Sequence, residues 1–95
     1  MIDNKFKTMF ENAMELAGKA IISYEPTVSD VCNRFEKNKN VPEDELEHLL
    51  DGMLDFCFDD RMLELFHSVC KSAFAKYLQL VTDYIHTYKE LWDSE

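Results

Sequence analysis

Nine carboxylates crowd the stretch from Glu43 to Glu64: Glu43, Asp44, Glu45, Glu47, Asp51, Asp55, Asp59, Asp60 and Glu64, with Arg61 the only base among them. The block nets −8 in a chain of −9, so the acidity is local. A concentrated negative field repels nucleic acid and anionic membranes and attracts cationic protein surface, whereas a diffuse excess mainly confers solubility. Glu43, Glu47, Asp51 and Asp55 recur every four residues, which on a helix sets like charges ~6 Å apart. Each such pair costs about a few tenths of a kcal/mol. A solvated face accounts for any one of these acids. Their alignment points further, to a line of carboxylates that imitates a phosphate strand and occupies a basic surface built to hold nucleic acid. The expected contacts are Glu43, Asp44, Glu47, Asp51 and Asp55, with Asp59 and Asp60 extending the field.

Tyr77, Tyr84, Tyr88 and Trp92 form a second set, spaced along the apolar side of the last helical stretch. Side chains with one apolar body and one polar tip suit interfaces. An ordinary core stripe has the same spacing, so the alternatives are packing on the first helix or self-association into a homodimer. His48, with Asp44 four residues before it and Asp51 three after, could contribute to a divalent-cation site, but one histidine among exposed acids is poorly preorganised. His67 and His86 have no partner at readable spacing. Cys32, Cys57 and Cys70 lack C-x-x-C spacing and read as reduced, buried thiols. No nucleophile elbow, H-E-x-x-H or phosphate loop is present, and no acid has an apolar setting that would tune it for proton transfer. The expectation is a protein that is not an enzyme and has no metal and no cofactor.

These residues must be positioned by helices. The 95 residues are 46% hydrophobic with only two glycines and two prolines, which leaves hairpins and phosphate-cradling loops without their usual residues. One all-α domain of about four helices spanning 1–95 is expected. No apolar run approaches a membrane span, and the N-terminus alternates charged with apolar residues, so a soluble, unexported, cytoplasmic protein is expected. Lysines and arginines form no stripe, which argues against direct nucleic-acid binding.

The first helix is expected over about Asp3 to Ile22, with Ile2, Phe6, Met9, Phe10, Ala13, Met14, Ala17, Ala20 and Ile21 on one side. Pro26 is expected to end it, and a short helix carrying Val28, Val31, Cys32 and Phe35 should follow. Glu36 to Asn40 reads as a loop, and Val41-Pro42-Glu43-Asp44-Glu45 as a helix start running to about Phe58. Its inner side gathers Leu46, Leu49, Leu50, Met53, Leu54 and Cys57. Asp59-Asp60 offers an N-cap for the last helix. From Arg61 to Trp92 there is no glycine or proline, so one long, unbroken or gently bent C-terminal helix is expected. At ~46 Å it overshoots a domain of radius of gyration ~12 Å; the other outcomes are a break near Lys76 to Gln79, or a projecting half that finds an apolar partner.

These features together point to a non-enzymatic acidic binding module that inhibits or regulates a protein with a basic surface. The runner-up is an adaptor that self-associates through its aromatic C-terminal helix.

Overall fold

The structure, a computed structural model, describes residues 4–92. Ile2 and Asp3, assigned to the first helix from sequence, lie outside the described residues. Four helices follow in order: α1 (Asn4–Glu36), α2 (Glu43–Leu54), α3 (Asp60–Ala73) and α4 (Leu78–Trp92). Contacts fix the directions. Arg34 meets Glu45 and Tyr24 meets Gly52, so α2 runs antiparallel to α1. Cys32 bonds Ser68 and Gly18 faces Arg61, so α3 runs parallel to α1. Phe66 packs on Tyr88 with centroids 6.1 Å apart, turning α4 back along α3. The result is an up-down-up-down bundle, all-α with four helices as expected.

The partition of the chain among those helices is corrected at both ends. Pro26 does not end the first helix; it lies inside a single 33-residue α1. The apolar stripe stays in phase across it, from Ile21 through Tyr24 to Val28, Val31 and Phe35, so burying that side favours continuing. Pro26 and Ile22 are both exposed, and the Ile22 carbonyl that loses its amide donor is left to water. An interior proline costs about 3 kcal/mol, while each buried valine or isoleucine returns roughly 1.5–3 kcal/mol; Ile21, Val28 and Val31 together outweigh it. α1 ends where Asn38 takes a left-handed φ of 57°, with Lys39 N–H bonded to the Arg34 carbonyl and Asn38 N–H to that of Phe35. This is the Schellman pattern.

The long C-terminal helix is also corrected: the chain breaks at 74–77, between α3 and α4. No local breaker acts there. A straight continuation would strand Leu80, Val81, Tyr84, Ile85 and Tyr88 in water, whereas the reversal buries Val81 in the common core and packs the other four, partly buried, against it. That gain exceeds the few backbone bonds lost, about 1 kcal/mol each. α2 stops at Leu54, short of Phe58, because 55–58 winds into tight turns and Asp59 then caps α3.

The core is Leu46, Leu50 and Met53 from α2, Met62, Phe66 and Val69 from α3, Val28 and Val31 from α1 and Val81 from α4. α1 outruns it. α3 begins level with Gly18, and before Ala17 every described residue of α1 is exposed except the half-buried Met14. This overhang gives overall extents of 53 × 29 × 18 Å and a radius of gyration of 15.0 Å.

Candidate functional site

α2 holds the acids because its two sides do different work. Leu46, Leu49, Leu50, Met53 and Leu54 are buried, which fixes the helix's rotation. The rest of its surface therefore points to solvent: Glu43, Asp44, Glu47, Asp51 and Asp55 are all exposed, as is Asp60 at the start of α3. Among the described residues, no ion pair joins any of these six to a lysine or arginine. Glu45 is different, since Arg34 bridges it to Asp30 and to the Asn40 carbonyl, closing the loop between α1 and α2. Glu45 raises the Arg34 guanidinium's pKa through that hydrogen bond.

Glu43 and Asp44 sit in the first turn of α2, where free amides favour negative charge, but Asp51 and Asp55 lie at its carbonyl end, where the dipole opposes them. One compensation is visible. The Tyr84 hydroxyl donates to Asp51 Oδ1 at 2.6 Å, and burial together with that neighbouring carboxylate raises the phenol's pKa.

Asp59 does not belong to the exposed field, contrary to the sequence reading. Its side chain accepts from Arg61 N–H at 2.9 Å and from the Arg61 guanidinium at 2.8 Å, and only 4% of the residue is exposed. It is the N-cap of α3, and the Arg61 hydrogen bonds hold its carboxyl below the usual range.

The aromatic set has a use inside the chain. Tyr77 donates to the Val41 carbonyl at 2.6 Å, Tyr84 to Asp51, and Trp92 Nε1 to the Leu54 carbonyl at 2.8 Å. Three polar tips thus fasten α4 along α2 in parallel, from its N-terminus to its end, while Tyr88 packs on Phe66. That docking adds an acid the sequence reading missed: Asp83 of α4 lines a shallow groove with Asp51, Leu54, Tyr84 and Thr87. No periodicity within α2 could signal it, because Asp83 joins the face only through the packing of α4.

His48 is exposed, and among the described residues no group of three or more His, Cys, Asp or Glu could hold a metal ion. Cys57 and Cys70 are buried, their thiols pushed up to about 12 chiefly by desolvation. No helix of the described residues is long and apolar enough to cross a membrane. No protein-family model, curated protein or solved structure matches the chain.

Proposed function

We propose that this chain is a non-enzymatic, cytoplasmic protein-binding module whose α2 acid face engages a basic surface of a partner that handles nucleic acid, and thereby inhibits or regulates it. The observation that supports this reading is the set Glu43, Asp44, Glu47, Asp51 and Asp55, exposed and, unlike Glu45, with no lysine or arginine paired to them among the described residues, although Asp51 and Asp55 oppose the helix dipole. A rigid helix holds such charges in a fixed line, so binding a cationic groove costs little side-chain ordering.

Asp51 also receives Tyr84, so the clean test reverses its neighbours. Wild type and a Glu43→Lys, Glu47→Lys, Asp55→Lys variant are used as bait in the native cell extract at low and high salt. The expected partner is retained by wild type at low salt, released as salt screens the contact, displaced by added nucleic acid, and missed by the variant. Equal retention by the variant, or indifference to nucleic acid, would reject the reading.

A further inference from the structure

The stripe that α1 buries against the bundle begins well before the bundle does. Phe6, Phe10 and Ala13 occupy the same side of the helix as Ala17, Ile21 and Val28, with Met9 and Leu16 on one flank, yet among the described residues no other helix lies opposite them. Phe6, Met9, Phe10 and Leu16 expose 64, 63, 59 and 59% of their surfaces, on the order of 500 Å² together. That is as large as the largest apolar patch of an ordinary monomer.

We propose that residues 4–16 of α1 pair antiparallel with the same residues of a second copy of this chain. Size and net charge both favour that occupant. The segment is neutral, Lys5 and Lys7 against Glu11 and Glu15, so no net repulsion opposes a second copy. Glu15 already pairs with Lys19 of its own copy at 3.6 Å and does not set the orientation. Antiparallel pairing sends the two acidic bundles to opposite ends of the pair, which keeps their α2 faces apart and open, whereas parallel pairing brings like charge together. The register that places Phe6 opposite Ala13 of the second copy and Met9 opposite its Phe10 sets bulky against small, as interlocking helices require. With Ala13, Met14 and the lysine stems, each copy contributes close to the ~600 Å² at the low end of specific interfaces, so the dimer is expected to be a weak one.

This inference is independent of the acid-face reading and concerns a different surface from the aromatic α4. Sedimentation velocity of the full chain from ~1 to ~200 µM reads it directly. Wild type should pass from monomer to dimer, and Phe6→Glu with Phe10→Glu should raise the dissociation constant by about a hundredfold or more. Its far-UV circular dichroism under monomeric conditions should match wild type, because both side chains are exposed in the single copy. In a Cys32→Ser background, a mixture of Phe6→Cys and Ala13→Cys chains should oxidise to the mixed disulfide. A wild type that stays monomeric throughout, or a dimer that survives Phe6→Glu with Phe10→Glu but is lost in Trp92→Ala, would overturn the proposal. So would a Phe6→Cys chain that links only to itself, or capture of the monomer by lipid vesicles in place of pairing.

Discussion

Asp59 illustrates how one side chain can satisfy two sequence-level roles and the geometry keep only one. Sequence offers it both as a cap for the last helical stretch and as part of an acidic field. The structure turns it inward onto Arg61, where it closes an exposed amide of α3. Its neighbour Asp60 keeps the exposed role. Asp59→Ala should cost about 1 kcal/mol at neutral pH, the usual cost of losing a cap. The folded-state pKa of Asp59 is lowered, so its contribution is present above the unfolded value of ~3.9 and is lost as pH falls through the lower folded value. Urea melts should therefore show a clear deficit for Asp59→Ala at pH 7 that narrows on acidification below ~4. Asp59→Asn should retain much of the cap while losing the pH-dependent part. A deficit for Asp59→Ala that stays constant across that range would mean the charge plays no part.

At the scale of elements, the two glycines separate helix propensity from helix packing. Gly18 and Gly52 are both inside helices, where alanine is intrinsically better by about 1 kcal/mol. A β-carbon on Gly18 would rest 3.8 Å from the Arg61 guanidinium, an ordinary contact, but one on Gly52 would collide with the Tyr24 hydroxyl and come within 3.2 Å of its ring. Gly18→Ala should therefore raise the melting temperature. Gly52→Ala should lower it, with a net loss of about 1–2 kcal/mol as α1 and α2 are forced apart. If both substitutions stabilise, Tyr24 swings clear and the close approach of these helices does not depend on the glycine. The α2 acid face was legible because polar and apolar positions separate cleanly at helical spacing. The continuity of α1 was partly legible: the stripe keeps its phase from Ile21 to Val28, and that evidence outweighs the local rule about proline at Pro26.

For the whole molecule, the main consequence is an uneven distribution of stability. Ala17 to Val31 of α1 is anchored in the core, while the described residues before Ala17 are exposed apart from the half-buried Met14. Hydrogen exchange at sub-micromolar concentration should find the amides of residues 5–14 opening with almost no protection, and those of 21–31 protected close to the global limit. Uniform protection along α1 under those conditions would contradict the exposed overhang. Raising the concentration should slow exchange in residues 5–14 first, if the antiparallel pairing proposed above forms.

By itself the sequence determined that the chain is helical, that it forms about four helices, and which side of α2 faces water. Those properties follow from spacing within a single segment, which the chain carries locally. Tertiary structure alone decided that the stretch after Arg61 folds back at 74–77 and that Asp83 joins the acids of α2, and it completed what the stripe's phase only partly disclosed, that α1 passes through Pro26. Each depends on burial shared between segments distant in sequence, and that energy exceeds the local cost of a proline or a broken helix only once the neighbouring helix is in place. Asp59 is the local case: its cap and its ion pair both run to Arg61, two residues on, and the fold chose between two roles the sequence already offered.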